Sequence, residues 1–279
     1  MHELRQEFPL AGLLNLAHLK RSTFYHQLKV REAVDKYAEL KGKIQAIYDL
    51  HKGRYGYRRV AEALTKAGYS VAVNTVQSLM GKLGLKSLVR PKKYKSFKGE
   101  MGATAPNLLE RDFNASAPNE KWVTDVTEFK LPDGKVFLST VMDLCTSEII
   151  AHEIHRRPSL GLVTRMLNKA LSKLGVDEKP ILHSDQGWQY RMTRYRDLLL
   201  EKGVVPSMSR KGNCHDNAAM ESFFGVLKSE FFYLEKFDSA EQLRNGLEEY
   251  IHYYNYIRMK LKLGGKSPVQ YRTLLQKTA

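Results

Sequence analysis

Between residues 121 and 155 the chain carries three runs rich in aromatic and β-branched residues, "KWVTDVTEF", "KVFLSTVMD" and "EIIAHEI", with only a few residues between them. Such residues suit a pleated, half-buried surface. Connections this short suggest strands that return antiparallel, as a meander. "LPDG" at 131–134 supplies the turn residues between the first two runs. The pattern then alternates. A helical run "LGLVTRMLNKALSKLG" leads to a strand "PILHSD", a helix near "RYRDLLLEKG", a short strand "VVPSM", and a long helix from about Asn217 to Leu234. This order predicts an α/β unit, a mixed five-stranded sheet flanked by helices.

The residues before this unit are patterned differently. Residues 10–28 read as two short helices with a turn near His18 to Arg21 and Ser22 as N-cap of the second. Residues 37–86 read as three more helices, the last capped by Asn74 and stopped by Gly84. Gly68 falls where a helix-turn-helix needs its tight turn. A small helical bundle that never touches DNA gives the same pattern. Residues 90–107, "RPKKYKSFKGEMGATAPN", are cationic and broken by Pro and Gly, as in a linker. That stretch is either a solvated connection or a strap along a phosphate backbone, with Tyr94 and Phe97 available to stack on bases and Lys92 and Lys93 to meet phosphates. The expected divisions are a helix-turn-helix-like segment at 1–35, a helical DNA-binding module at 36–89, a basic linker at 90–117, the α/β core at 118–236 and a C-terminal helical segment at 237–279.

Charge narrows the partner. The net charge is +15; residues 1–100 hold 20 Lys and Arg against 8 Asp and Glu, and the remainder hold 25 against 22. Such a field points to a polyanion, nucleic acid above all. Arg54, Tyr57, Arg58 and Arg59 cluster at the start of the second of the three helices and are candidate contacts. No run approaches the roughly 20 apolar residues of a membrane span. The N-terminus has an acid before a short, interrupted apolar run, unlike a signal peptide. Cys145 and Cys214 are too few for a disulfide framework and lack metal-ligand spacing. A reducing cytoplasm is the expected setting.

In so basic a chain the carboxylate in "ILHSDQGWQY" stands out. Asp185 ends the fourth strand, where α/β folds place functional groups. Asp125 lies within the first strand, with 59 residues between it and Asp185, and Glu221 lies in the first turns of the last helix, with 35 residues between it and Asp185. Singly, each acid has the ordinary explanation of a cap, an ion pair or a surface charge. Together, "WVTDVTEF", "LHSDQGWQY" and "GNCHDNAAMESFFGVLKSE" resemble the three acidic blocks of DDE transposases and retroviral-type integrases, on an RNase H-like fold. The likeness is closest to the integrase-type subunit, OrfB, of bacterial insertion sequences of the IS three family. "HKGRYGYRRVAEAL" at 51–64 resembles that family's second N-terminal helical module, and "YNYIRMKLKLGGKSPVQYR" at 254–272 its C-terminal signature. Retroviral integrases carry an N-terminal zinc module; here the first hundred residues hold His2, His18, His26 and His51 but no Cys, so helical domains stand in its place.

The resemblance implies that Asp125, Asp185 and Glu221 are catalytic and hold Mg²⁺, with Mn²⁺ able to substitute and two ions expected. It implies that water nicks the element's ends, and that the exposed 3′-OH attacks another phosphodiester with no covalent protein–DNA intermediate. The first joining in this family is usually to DNA beside the other end. The implied partners are double-stranded DNA, both terminal inverted repeats and target, other copies of the chain in a synaptic complex, and an upstream helix-turn-helix protein, separate or fused by frameshifting. The implied setting is the bacterial nucleoid.

Around the triad, Gly187 would let the backbone turn away closely, leaving Trp188, Gln189 and Tyr190 toward the substrate. Lys228, seven residues after Glu221, lies within about 20° of the same helical face. It is read either as a contact to a DNA-end phosphate or as a solvated lysine pairing with Glu230 or Glu235. Arg210, Lys211 and Asn217 either grip phosphates or belong to a solvated loop. Asp143, like Thr127 in the strand region near Asp125, suits a turn or cap better than the metal site. His183 is a second partner of the site or a core histidine. Tyr250, Tyr253, Tyr254 and Tyr256 suit packing for the most part. Two rivals are an RNase H-like nuclease or resolvase that never joins ends, and a non-catalytic DNA-binding regulator.

Overall fold

The computed structural model describes residues 4–32, 35–89, 105–110, 112–210 and 214–278. Lys92, Lys93, Tyr94, Phe97 and Lys211 lie outside the described residues. The amphipathic runs of the first third form α1 (Leu10–Leu16), α2 (Arg21–Glu32), α3 (Ala38–Leu50), α4 (Tyr57–Lys66) and α5 (Val73–Lys82). Gly68 and Gly84 end α4 and α5 with positive φ, +87° and +70°. The amides that follow, of Tyr69 and Leu85, reach back to the carbonyls of Leu64 and Met80. This closure satisfies carbonyls left over at a helix end.

Two expected caps are corrected. Helix α2 starts at Arg21, so Ser22 lies inside its first turn, and α5 starts at Val73 after an extended Ala72, so Asn74 lies inside the helix. In α5, burial of Val76, Leu79 and Met80 sets the register, and no side-chain cap bond is made at its start. Ile44, Val60, Leu64, Val76 and Leu79 form the core of the three helices α3–α5, and Met259, from far along the chain, joins it.

The α/β unit holds β1 (Lys121–Leu131), β2 (Gly134–Asp143), β3 (Ile149–His155), α6 (Leu160–Leu171), β4 (Ile181–Ser184), α7 (Thr193–Glu201), β5 (Val205–Met208), α8 (Ala218–Leu227), α9 (Ala240–Tyr256) and α10 (Pro268–Thr278). The strand order is β3-β2-β1-β4-β5. β1, β2 and β3 pair antiparallel, while β4 runs parallel to β1 and to β5. Leu131 pairs with Gly134, so Pro132 and Asp133 form the whole hairpin loop. This is the mixed, RNase H-like arrangement expected from the sequence.

Alternation along β1 sorts the two faces. Trp122 and Val126 pack with α6 and α7, whereas Val123 and Phe129 pack with α8 and α9. Residues of α9 from Ala240 to Tyr254 complete the second of these cores, so the chain beyond residue 236 is built into it. The end of the basic linker is docked as well. Pro106 accepts from the Met208 amide, and the Leu108 amide donates to Ser207 Oγ, along the outer side of β5.

The long last helix of the core is not continuous. α8 ends at Leu227 and passes into a π-helical turn, Lys228–Phe232. The wider turn carries both Glu230 and Phe231 inward, at 2% and 3% exposure. Gly246 of α9 makes room for Phe231, since a Cβ there would fall 2.5 Å from the ring.

Candidate active site

Asp125 sits on the α8 face of β1 because it is in phase with Val123 and Phe129. Val123 pairs with His183 across the parallel strands β1 and β4. Two residues further on, the same register brings Asp125 alongside Asp185 at the exit of β4, with strands about 4.8 Å apart. Glu221 enters from above, in the first turn of α8, which packs on β1. Asn217, one residue before α8, sends its Nδ2 to the Thr124 carbonyl (3.2 Å) and so pins the start of the helix beside Asp125.

The loop after Asp185 is shaped around its carboxylate. Asp185 Oδ1 accepts from the Gly187 amide (2.9 Å). A Cβ at residue 187 would stand 2.9 Å from that same oxygen. A side chain here would displace the Asp185 carboxylate from its place. Trp188 is exposed, but Gln189 and Tyr190 are buried, which corrects the expectation that all three face a substrate. Tyr190 stacks edge-on against Tyr195 instead.

The electrostatics are those of a cluster of carboxylates. Burial pushes the Asp125 carboxyl well above the usual carboxylate range, and the charges of Asp185 and Glu221 push it further. Lys228 acts in the opposite direction on Asp125 and lies over the Phe129 ring at 5.3 Å. Burial also raises Asp185, against the Gly187 amide and Arg191. Among the described residues no three His, Cys, Asp or Glu side chains close into a ready metal cage. Three like charges in a low-dielectric site repel, and a closed set needs the cation that offsets them. The donors are all carboxylate oxygens, the set Mg²⁺ prefers, and a divalent ion would offset the burial and mutual repulsion that raise Asp125. The residues present therefore fit that group.

Several other expected contacts have different places. Asn217 is buried against β1 and does not face solvent. Arg210 is exposed but bound through Nε and Nη2 to Asp216, a wholly buried carboxylate that also accepts from Asn107. Arg54 is corrected outright: it is 7% exposed, its Nε donates to the Glu230 carbonyl, and its guanidinium covers the Tyr250 and Tyr253 rings. Arg59 is paired with the Glu230 carboxylate (3.2 Å), Tyr57 is half-buried, and Arg58 is exposed. Glu230 faces inward to Arg258, so it is no surface partner for Lys228.

Asp143 has the turn role: Oδ1 accepts from the Thr146 amide and hydroxyl, and Oδ2 from the Asn119 amide. His183 is a core histidine between the hydroxyls of Ser207 and Ser209, and burial pushes it down to about 4. Tyr250 and Tyr254 are buried, and Tyr256 is exposed. Sequence reasoning missed the buried hub of Glu230, Arg258 and Arg59; no periodic signal distinguishes a buried ion pair from charged surface residues.

Comparison with known proteins places the chain among its relatives. Residues 115–214 and 221–274 each match an integrase core domain family, and residues 36–93 match an HTH-like domain family. The chain is 52% identical over 272 residues to InsK, a transposase by name, of insertion sequence element IS150 in Escherichia coli K12, covering 98% of this chain and 96% of that protein. It is 32% identical to the transposase InsF of insertion sequence IS3A, from the same organism, over 95% of this chain and 94% of InsF. Solved structures with a related shape include a simian T-cell lymphotropic virus intasome in complex with PP2A regulatory subunit B56 gamma (16% identity, 82% of this chain and 74% of that one, TM-score 0.49) and the HTLV-2 integrase catalytic core domain in complex with magnesium (18%, 57% and 99%, TM-score 0.46). No described helix is long and apolar enough to cross a membrane. The integrase core, the HTH-like module ahead of it and the full-length likeness to InsK and InsF meet in one conclusion: the chain belongs to the OrfB-type DDE transposases of the IS three family of bacterial insertion sequences.

Proposed function

We propose that Asp125, Asp185 and Glu221 are the catalytic carboxylates with which this transposase nicks the ends of its insertion sequence and joins the freed 3′-OH to new DNA. The observation that carries this reading is that β1, β4 and α8 direct three carboxylates to one side of the sheet, where Asp185 and Glu221 both raise the cost of ionising Asp125. The same three side chains would hold Mg²⁺. When bound, the metal supplies charge neutralisation and Lewis-acid polarisation at the scissile phosphate, and a pair of ions serves both the attacking and the leaving oxygen. The chain's own part is positional. The Gly187 amide holds the Asp185 carboxylate in a fixed rotamer. Asn217 locks the base of α8 to β1, so Glu221 approaches Asp125 from a fixed direction. Lys228, close enough to temper Asp125, is the cation we assign to a phosphate of the DNA end.

The substrates on this reading are double-stranded terminal repeats and a target duplex, brought together by more than one copy of the chain. An upstream helix-turn-helix protein, separate or fused, belongs to the same reading, as does a nucleoid setting. The HTH-like match and the basic first third support DNA as the partner. The test is incubation of the protein with duplexes carrying its element's ends and Mg²⁺, with nicked and joined products mapped. Asp185→Asn, Asp125→Asn and Glu221→Gln are expected to lower both reactions about a thousandfold or more, since metal catalysis supplies several kcal/mol. DNA binding should remain. Substantial cleavage by Asp185→Asn would sink the assignment, and nicking without joining by the wild type would favour a nuclease.

A further inference from the structure

A cationic cavity lies on the back of α8. Ser222 and Val226 of that helix, with Tyr254, Arg258, Lys260 and Lys262, line a cavity of about 380 Å³ that Arg59 also reaches. Val226 is five residues past Glu221, about 140° around the helix, so this cavity and the three carboxylates open on different faces. Four cations line it, and among the described residues no Asp or Glu does. The nearby carboxylate, Glu230, is already filled by Arg258 (2.6 and 2.7 Å), Arg59 (3.2 Å) and the Tyr250 hydroxyl (3.0 Å). Lys260 Nζ is left with a neutral neighbour, the Tyr254 hydroxyl at 2.9 Å, and the face of that ring.

The chain works to present these cations. Residues 260–266 close a small hairpin through a Lys260–Lys266 bridge, turned by Gly264 and Gly265 at φ +61° and +70°. That hairpin is seated on α4: Lys66 Nζ donates to the Gly265 carbonyl, and a Cβ at residue 265 would collide with Glu62. The Met259 amide donates to Tyr55 Oη (2.9 Å), fixing the strand that carries Lys260. The cavity also runs into a wider groove of about 610 Å³, sharing Arg59, Val226, Arg258 and Leu261 with it and reaching Arg58 at the first turn of α4.

We propose that this seam between α4, α8 and the 260–266 hairpin is a phosphate-binding subsite that holds a phosphodiester of the DNA backbone, separate from the catalytic carboxylates. Arg59 and Arg258 are met by Glu230, but among the described residues no carboxylate lines the cavity beside Lys260 and Lys262, and a phosphate there supplies several acceptors at once. The groove's continuation to Arg58 gives the backbone a path from the HTH-like module to the back of the catalytic helix. In keeping with this, burial and the charges of Lys262, Arg258 and Arg59 push the Lys260 ammonium down to about 7, a strain that a bound phosphate removes. The inference rests on the transposase reading only in taking DNA as the anion.

The test uses the full chain in EDTA, so that the metal site plays no part. Affinity for a labelled duplex of unrelated sequence is measured by anisotropy over a salt series for wild type, Lys262→Gln, Lys260→Gln and the double variant. Each neutralised phosphate contributes about 0.9 to the slope of log K against log salt. The double variant should lose about that much slope and bind about three- to tenfold more weakly. Lys262 is exposed, so its variant keeps the test decisive if Lys260→Gln fails to fold. In parallel, inorganic phosphate against chloride should raise the wild-type Tm and leave that of Lys260→Gln unmoved. Wild-type slope and affinity in the variants overturn the proposal. A Tm rise with free phosphate and no change in duplex binding also overturns it, as a site for small anions alone. If the wild type binds duplex through this seam yet never nicks its ends, the catalytic reading fails and this one stands.

Discussion

On the reading proposed above, Asp125 is a residue strained by its function. It stands in the middle of β1, a position that would normally take a hydrophobic side chain, and faces two other carboxylates. Without a cation the arrangement works against folding, so removing one charge should relieve it. In EDTA at pH 8.5, Asp125→Asn should melt a few degrees above the wild type, using about 2–4 °C for each kcal/mol recovered. With Mg²⁺ added, the wild type should gain Tm and the variant should not, closing the gap. Thermal melts of both proteins with and without Mg²⁺ check this, and a wild type indifferent to Mg²⁺ would contradict the assigned ligands. This trade of stability for activity is common at active sites. The acids themselves were legible because their elements were: a strand interior, a strand exit and a helix start fix which way each points. The flanking contacts were less legible. Asn217 and Arg54 read as candidate DNA contacts, yet one pins α8 and the other lies buried over two tyrosine rings. A polar residue beside a site looks alike in sequence whether it faces outward or inward.

At the scale of the element, the instructive case is α8, the helix with Glu221 in its first turn. Its apolar residues, Met220, Phe223, Phe224, Leu227 and Phe231, keep a helical period throughout, which predicts one straight helix. The π-helical turn at Lys228–Phe232 is set by something periodicity does not carry, the ion pair between Glu230 and Arg258 that must reach the interior. Burial pushes the Glu230 carboxyl up, but Arg258 and Arg59 outweigh it and leave it below its ordinary range. Glu230→Gln keeps the shape but leaves Arg258, 3% exposed, without its counter-charge. Breaking one side of a buried pair costs about 3–5 kcal/mol. The variant should therefore unfold at clearly lower urea, and a midpoint within error of wild type would show that the pair is not what holds the turn. The missed caps have a related cause. Ser22 and Asn74 are good capping residues, but packing set where their helices begin.

Across the whole molecule, the element order, the mixed sheet and the glycine-terminated helices were readable, because local propensity and period agree with the fold there. The union of its parts was not. The contacts that tie α4 to α9 and the 258–266 segment span up to about 200 residues of chain, from Tyr55 to Met259 and from His51 to Tyr253. No window of sequence reports such pairs. His51 makes this seam measurable. It is 7% exposed, stacked on Tyr55 at 3.6 Å, and its Nδ1 lies 3.2 Å from Tyr253 Oη. Burial, then the charges of Arg54 and Arg59, push the imidazole down to about 4, with Glu230 only partly opposing them. The sign follows from linkage. In the unfolded chain His51 takes a proton near 6.5, while in the folded chain it stays neutral to about 4, so stability falls as pH drops through that window. At about 1.4 kcal/mol per pKa unit the loss reaches roughly 3 kcal/mol. His51→Asn keeps a hydrogen-bonding group near Tyr253 but gives up the stack, costing about 1 kcal/mol at pH 7.5. Its stability should then fall less steeply than that of the wild type on acidification, so that the two curves converge and cross at about pH 6. Urea unfolding at pH 7.5, 6.5, 5.5 and 4.5 measures both slopes. Parallel curves would show that His51 does not titrate with folding, and that acid sensitivity lies elsewhere than at this seam.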